Sequence, residues 1–393
     1  MSDHMSDQMI YLDYAATTPV DSRVADIMSQ HLTIDGDFGN PSSNHVIGRR
    51  ASAAVERAGK QLAGLLDCRP GELVWTSGAN ESDNLAIIGA AQYRASRGKH
   101  LMTMPTEHKA VTATFQALEK QGFDVTWLQP DKRGRVHIGE FEAAFRDDTQ
   151  LVSIMYVNNE TGVTQNIEAM GALCRERDVL FHVDAAQAVG KLPIDLASLP
   201  VDLMSMTAHK VYGPKGIGAL YIADRPGCHI EAQMYGGGPH SATRPGTLAV
   251  HLIAGFGLAA DIAGGSMDAD FEHLSALNER LWAGLSQIPG VLRNGAAEHT
   301  FPGILNVSVE DIEGESLLLA LEPLCVATGS ACNAKNAEPS YVLRALGRSD
   351  AEAQSAIRFS MGRYTTESDI DVAVQVYRDA VSKLRRIAPV QAA

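Results

Sequence analysis

Short, continuously apolar segments alternate with segments of helical periodicity across the first two-thirds of this 393-residue chain. The apolar segments read ELVWTSG (72–78), KHLMTMP (99–105), FDVTWLQP (123–130), LVSIMYVNN (151–159), VLFHVDAAQ (179–187), VDLMSMTAHK (201–210) and IGALYIAD (217–224). Strands that are apolar on both faces and lead into helices are typical of parallel or mostly parallel sheets covered by helices on both sides. The alternation therefore predicts an α/β fold.

The pattern changes beyond about residue 260. A long helical stretch (268–288) precedes a short strand-like segment, a helix from Gly314, a second strand-like segment and a final helix. Because a chain of this length exceeds one ordinary core, we expect two domains. We predict a large domain at 14–258 and a smaller α+β domain formed by 1–13 and 259–393, which carries a cysteine loop at about 325–340.

The charge and the cysteine pattern exclude several classes of protein. A formal net charge of −14 argues against a nucleic-acid-binding surface as the main function. No signal peptide and no uninterrupted apolar run long enough to span a membrane is visible. The cysteines at 68, 174, 228, 325 and 332 form no CxxC pair and no spacing suited to a metal. We therefore expect a cytoplasmic protein with reduced thiols and no metal of its own.

A lysine and an aspartate lie where predicted strands end, which is where α/β sheets gather their chemistry. Lys210 follows an apolar strand and precedes the glycine-rich VYGPKG, so it is either an ordinary surface charge or a desolvated amine able to form a Schiff base. An amine of the second kind requires a carbonyl cofactor, for which pyridoxal phosphate is the obvious candidate. Asp184, at the end of LFHVD, is either the acidic partner of the pyridine nitrogen or a helix N-cap.

Two further segments could bind the rest of such a cofactor. In TSGANESDN, Gly78, Ala79 and Asn80 separate a strand from a helix, and backbone N–H groups at a helix start bind phosphate. Taken alone, the same letters are only a good capping sequence. His108 lies at another strand-to-helix junction and could stack on the ring, although a lone histidine is more often incidental.

Cys332 lies in ATGSACNAKNAEPS, a run of small and polar residues that does not resemble a core segment. Free cysteines are usually buried, so this thiol is either incidental or kept accessible for chemistry. The other four cysteines are expected to be structural or incidental.

Eleven motifs, in order along the chain, resemble one known family. They are YLDYAATTPVD, FGNPSS, TSGANESDNLAI, TEHKAV, VSIMYVNNETG, HVDAAQAVGKLPID, HKVYGPKGIGALY, RPGT, GSAC, EPSYVLRALG and IRFSMGR. Together they resemble the group I cysteine desulfurases of the housekeeping iron–sulfur type, which belong to the aminotransferase class V superfamily. The resemblance runs from about Ile10 to the final helix. It implies pyridoxal-phosphate fold-type I, an aspartate-aminotransferase-like large domain with a mostly parallel seven-stranded sheet, and a smaller α+β C-terminal domain.

The resemblance also implies a reaction and a set of partners. The enzyme would use pyridoxal 5'-phosphate to remove sulfur from L-cysteine, leaving L-alanine and a persulfide on Cys332. The persulfide would pass to acceptor proteins for iron–sulfur cluster assembly or for thiolation of tRNA or cofactors, and Cys332 could transiently ligate a cluster on a partner. The family's members are homodimers whose active sites lie at the subunit interface.

The family's site residues fall on matching positions of this chain. Lys210, Cys332 and His108 would be catalytic, and Arg358 and Asn159 would bind the substrate. The cofactor would be bound by a larger set: Lys210, Asp184, Gln187, His108, Ala79, Asn80, Asn159, Thr207, His209 and, from a second subunit, Thr247.

Some positions depart from the family pattern. Asn80 replaces a common threonine, Thr207 replaces a usual serine, and His240 stands near a common glutamate. The sequence RRIAPVQAA lacks the longer tail with which relatives dock the iron–sulfur scaffold, so we expect weaker binding to such a scaffold.

Other readings of the same residues stay open. The chain could be a selenocysteine lyase, a cysteine sulfinate desulfinase or a small aminotransferase. It could also be a sulfur-relay hub whose main output is the docking of partners.

Overall fold

The computed structural model describes residues 9–236, 243–328 and 338–387. The strands within these ranges are β1 (Ile10–Tyr11), β2 (Leu73–Thr76), β3 (His100–Thr103), β4 (Asp124–Trp127), β5 (Thr149–Met155), β6 (Leu180–Asp184), β7 (Leu203–Thr207), β8 (Gly218–Ile222), β9 (Val291–Arg293), β10 (Ile304–Val309), β11 (Leu324–Cys325), β12 (Ala327–Thr328) and β13 (Ile357–Ser360). The α-helices are α1 (Ser22–Ser29), α2 (Val46–Leu66), α3 (Ala79–Arg94), α4 (Lys109–Lys120), α5 (Ile138–Ala143), α6 (Ile167–Glu176), α7 (Val250–Leu285), α8 (Gly314–Ala320), α9 (Tyr341–Ala345), α10 (Asp350–Gln354) and α11 (Glu367–Ile387).

Seven strands form one sheet in the order β2–β8–β7–β6–β5–β3–β4. The strands from β7 to β4 run parallel to their neighbours, whereas β8 is antiparallel to both β2 and β7. Every predicted apolar segment supplies one strand of this sheet, so the mostly parallel α/β fold is confirmed. Asp184 at the end of β6 lies level with Met155 of β5 and Ser205 of β7, which places the carboxyl ends of three strands side by side.

Helices bury both faces of this sheet. Leu151, Leu180 and Leu203 point to the side where α3 and α4 contribute Leu85 and Phe115. The next residue along each of these strands points the other way and joins a larger core with α6 and α7. Because both faces are covered, these strands carry apolar residues almost continuously, which is the pattern that the sequence showed.

Helix α7 is longer than predicted, since it begins at Val250 rather than near Asp268. The Gly264–Gly265 pair interrupts the pattern in the sequence but does not end the helix. By length and composition α7 could cross a membrane, but half of its apolar window is buried, and it packs along α1, α2 and α11. At Gly257 an added Cβ would lie 2.4 Å from the Cα of Ala58 in α2, so glycine permits this close packing. This is the packing of a core helix.

Two smaller sheets accompany the large one. Strands β12, β13, β10 and β9 form an antiparallel sheet in that order, and β1 pairs in parallel with β11. The pairing of β1 with β11 supports the proposal that the first residues join the C-terminal α+β part. The proposed boundary after residue 258 falls inside α7, so the division into 14–258 and the remainder stays a proposal.

Candidate active site

A cavity of about 590 Å³ lies at the carboxyl ends of the parallel strands. Of the twelve site residues named from the sequence, nine line it: Ala79, Asn80, His108, Asn159, Asp184, Thr207, His209, Lys210 and Arg358. These residues are spread over most of the chain, and the sheet brings them together because its strand ends converge there.

Lys210 and Asp184 reach the cavity from neighbouring strands. Strand β7 ends at Thr207 and continues into a single 3₁₀ turn, Ala208–Lys210, which delivers the lysine. Asp184 is the last residue of β6 and is almost fully buried, and its Oδ1 accepts the Ala186 N–H at 2.9 Å. This local bond orients the carboxylate. No helix begins at Asp184, so the alternative role as a helix N-cap is wrong.

The start of α3 lines the cavity with Gly78, Ala79 and Asn80. Gly78 is its N-cap at φ +154°, a region that favours glycine, and its lack of a side chain leaves the first backbone N–H groups uncapped. Thr207 and His209 line the cavity with Ala79 and Asn80. Burial, together with nearby lysines, lowers the pKa of His209 to about 4, so its imidazole is neutral at pH 7 and has an N–H to donate.

His108 has a structural task that the sequence reasoning did not identify. It is the N-cap of α4, and its Nδ1 accepts the Ala110 N–H at 3.2 Å. Burial lowers the pKa of His108, with Lys210 acting in the same direction and Asp184 against it. In the neutral ring the proton therefore lies on Nε2, and the cap fixes the plane of the ring at the edge of the cavity.

Gln187 is buried and contacts Ala15, which lines the cavity. Its Nε2 donates to the Ala15 carbonyl at 2.7 Å, and its Oε1 accepts from Lys191 Nζ at 2.8 Å. Burial, then the charges of Lys210 and Arg358, lower the pKa of Lys191 to about 7. Lys191 thus fixes the orientation of the Gln187 amide, and this partner was missed because nothing in VGKLPID distinguishes it from a surface lysine.

Thr247 lies apart from the other predicted residues. It lines a separate, larger cavity of about 860 Å³ with Trp75, Asp224 and Arg244. Its predicted role requires a second subunit, and that prediction stays open. Cys332 and His240 lie outside the described residues.

Buried carboxyl groups at the cavity were not predicted from the sequence. Asp83 of α3 lines the cavity at 1% exposure, and within the described residues neither of its carboxyl oxygens has a hydrogen-bond partner. Burial, with Asp184 nearby, raises the pKa of Asp83 well above its usual value. Glu107 is also fully buried, though it does not line the cavity, and burial raises its pKa well above its usual value. In the sequence, Asp83 could have been recognised as an acidic residue among the buried positions of the helical segment ESDNLAII.

Glu160 is a second buried carboxyl group of the cavity lining that was not predicted from the sequence. It lines the cavity, is 3% exposed, and its Oε2 accepts a 2.5 Å hydrogen bond from Ser340, the N-cap of α9. Burial raises the pKa of Glu160 to about 7, against the opposing effects of Ser340 and Arg358. This carboxyl group therefore joins α9 to the wall of the cavity.

Replacing Glu160 with glutamine should remove a pH dependence of stability. Because the folded-state pKa lies above the unfolded one, the folded chain holds a proton that the unfolded chain releases between about pH 4.5 and 7. As the pH rises through this window, the free energy of unfolding of the wild type should fall by about 3 kcal/mol relative to that of Glu160→Gln. Above the window, the difference between the two proteins should stay constant. Urea unfolding of the cofactor-free proteins at pH 5 and pH 8 measures this, with exposed Glu168→Gln as the control. A wild-type-to-variant difference that is equal at both pH values would contradict the assignment.

The cavity fits pyridoxal phosphate part by part. Lys210 supplies an amine for the aldehyde, Asp184 a carboxylate for the pyridine nitrogen, and His108 a flat ring for stacking. The uncapped start of α3 suits a phosphate.

Comparison with known proteins gives consistent results. The "Aminotransferase class-V" family model matches residues 10–372. The chain is 55% identical over 381 residues to the cysteine desulfurase IscS of Escherichia coli O139:H28 (strain E24377A / ETEC), covering 97% of this chain and 94% of that protein. Among solved structures, a NifS-like protein matches with a TM-score of 0.89 at 35% identity, covering 96% of this chain and 100% of the other. SspA in complex with cysteine matches with a TM-score of 0.81 at 37% identity, covering 91% of this chain and 100% of the other.

Proposed function

This chain belongs to the aminotransferase class V family and, within it, to the IscS-like cysteine desulfurases, whose members depend on pyridoxal phosphate, and we propose that it removes sulfur from L-cysteine. One observation carries the proposal. Lys210, Asp184, the start of α3 and Arg358 line a single cavity, so groups suited to the cofactor and to an amino-acid carboxylate lie together. The reaction is a sulfur transfer that leaves L-alanine.

Each of these cavity residues has a separate proposed role in the reaction. Lys210 would hold the cofactor through its amine, and the same amine could then act as general base and acid for the substrate's α-proton. Asp184 would hold the pyridine nitrogen in its protonated form, and His108 would stack on the ring. When bound, pyridoxal phosphate supplies an electron sink for the negative charge that forms at the substrate's α-carbon. The backbone N–H of Asn80 would be among those that hold the phosphate, and a change from threonine to asparagine does not remove this donor.

Cys332 is the proposed sulfur acceptor within the chain. Its thiolate attacks the sulfur of L-cysteine, a new S–S bond forms, and the C–S bond breaks. The carbon then takes a proton, so one L-cysteine and one thiol become one L-alanine and one persulfide. On the N-terminal side of Cys332, the last described residue is Thr328 of β12, which pairs with Ile357, the neighbour of Arg358. On the C-terminal side, Tyr341 lines the cavity. The positions of both flanking segments therefore support a reaction of the Cys332 thiol with a substrate in this cavity.

The assembly and the sulfur acceptors are part of the same proposal. Thr247 lies outside the cavity of its own chain, which supports a homodimer in which it reaches the partner's cofactor phosphate. The protein would act in the cytoplasm, where Cys68, Cys174, Cys228 and Cys325 stay reduced; the structure has all four as free thiols. Acceptors would be an iron–sulfur scaffold or a carrier for tRNA or cofactor thiolation.

Turnover of L-cysteine tests the proposed function. Purified protein loaded with pyridoxal phosphate should, with a thiol reductant, release alanine and sulfide in equal amounts from L-cysteine. Alanine is measured by amino-acid analysis and sulfide by methylene blue formation. Absence of both products from L-cysteine, with activity on selenocysteine or cysteine sulfinate, would replace the proposal by one of those lyase activities.

A further inference from the structure

Arg358 is held at two of its three guanidinium nitrogens. It lies in β13 between Asn306 of β10 and Ala327 of β12, and its side chain is 3% exposed. Nη1 donates to the Asn159 carbonyl at 2.8 Å, and Nη2 donates to Asp13 Oδ1 at 2.7 Å. Within the described residues, the buried Nε has no hydrogen-bond acceptor. A guanidinium has five N–H donors, so one N–H on Nη1 and one on Nη2 remain for a ligand in addition to the buried Nε–H.

Asp13 is fixed by the backbone on both sides of it. Leu12 N–H donates to the Cys325 carbonyl at 2.9 Å, and Ser360 N–H donates to the Leu12 carbonyl at 2.7 Å. Tyr14 N–H donates to the Ser360 carbonyl at 3.2 Å. The carboxylate of Asp13 is therefore carried on a segment that is tied to β13 itself. It reaches Arg358 from a position 345 residues away in the chain.

A buried guanidinium needs a negative partner when no substrate is present. Removing one member of such a pair is costly because it leaves the other charge buried and unpaired. Asp13 supplies that charge, and its 23% exposed side chain lies at the open side of the pair. Arginine also has many rotamers, and a carboxylate that holds one nitrogen limits them before a ligand binds.

We propose that Asp13 is a positioning residue for the carboxylate of the amino-acid substrate: together with the Asn159 carbonyl it holds the Arg358 guanidinium, so that the remaining N–H donors face the cavity. The inference rests on the proposed function only in taking the ligand to be an α-amino acid. Asp13 does not touch the reacting atoms. Its effect on the reaction passes through Arg358.

The inference predicts a loss of affinity that is specific to carboxylate-bearing ligands. Asp13→Asn keeps the size of the side chain and removes its charge. We expect KM for L-cysteine to rise about 10- to 100-fold, the effect of losing a charge-assisted hydrogen bond, while kcat changes less than threefold. The cofactor absorbance should stay close to wild type, whereas the melting temperature of the cofactor-free protein should fall, because the Arg358 charge loses its partner. Asp26→Asn, an exposed aspartate on α1, is the matched control.

Ligand binding separates this inference from the desulfurase proposal. Titration of the holoenzyme with L-alanine, followed through the cofactor absorbance, gives a Kd without turnover. In Asp13→Asn the Kd for L-alanine should rise about 10- to 100-fold, whereas the Kd for ethylamine, which lacks a carboxylate, should not change. Equal weakening for both ligands, or for neither, would overturn the inference even if L-cysteine turnover is normal.

A double-mutant cycle tests the route through Arg358. If Asp13 acts by positioning Arg358, then Asp13→Asn should cause little further loss of L-alanine affinity in an Arg358→Lys background. Fully additive losses would show that Asp13 acts by another route and would contradict the inference. If Asp13→Asn lowers the melting temperature, this cycle still decides, because both single variants are compared with the double variant at a temperature where all are folded.

Discussion

Lys210→Ala should lose the visible absorbance of bound pyridoxal phosphate and at least about 1,000-fold of L-cysteine turnover. The amine is the group that holds the cofactor's aldehyde, and it is also the general base and acid for the α-proton, a role worth roughly 100- to 10,000-fold by itself. Both functions follow from its place on the turn after β7, where it lines the same cavity as Asp184.

Absorbance spectra and alanine release from the dialysed variant measure this effect. Lys60→Ala, an exposed lysine on α2, is the control and should behave as wild type. A Lys210→Ala protein that keeps the wild-type spectrum after dialysis would place the cofactor on another amine.

Cys332→Ala should separate cofactor chemistry from sulfur transfer. The variant should bind pyridoxal phosphate with an unchanged spectrum and should still respond spectrally to L-cysteine. Release of sulfide and alanine should fall at least about 100-fold, because the nucleophile that receives the sulfur is gone. A free thiol with pKa about 8.5 is only a few per cent ionised at pH 7, so turnover of the wild type should also rise between pH 7 and 8.5.

Cys68→Ala is the matched control for this variant. Burial raises the pKa of Cys68 to about 12, with Glu72 and Asp67 adding to it, so this thiol stays protonated and unreactive at pH 7. Turnover by Cys68→Ala should equal that of wild type. Undiminished turnover by Cys332→Ala would refute the role of Cys332 and would favour a selenocysteine-lyase type of reaction.

The sheet could be predicted because its strands are buried on both faces. Segments such as LVSIMYVNN have no polar side, and that pattern arises where helices cover both surfaces. The direction of β8 could not be predicted, since the glycine-rich connection VYGPKG permits either a return or a crossover. The start of α7 was missed because Gly264 and Gly265 weaken the helical pattern, while the packing that sustains the helix comes from α2, two hundred residues earlier in the chain.

Residues of the cavity could be predicted from the sequence where they lie at the end of a strand. Lys210 and Asp184 could be found this way, because the ends of parallel strands converge whatever their distance in sequence. Asp13, Lys191 and Glu160 could not, because each acts through a partner that only the fold supplies: Arg358, Gln187 and Ser340. Their sequence neighbourhoods carry no sign of burial or of pairing.

The central claim is that Lys210 holds the cofactor in this cavity. Reduction of the holoenzyme with sodium borohydride fixes pyridoxal phosphate covalently to the amine that carries it, and peptide mass spectrometry then identifies that lysine. The account predicts one phosphopyridoxyl group per chain, on the peptide that contains Lys210. A label on Lys191 or Lys215, or no label in a protein that shows the cofactor absorbance, would contradict it.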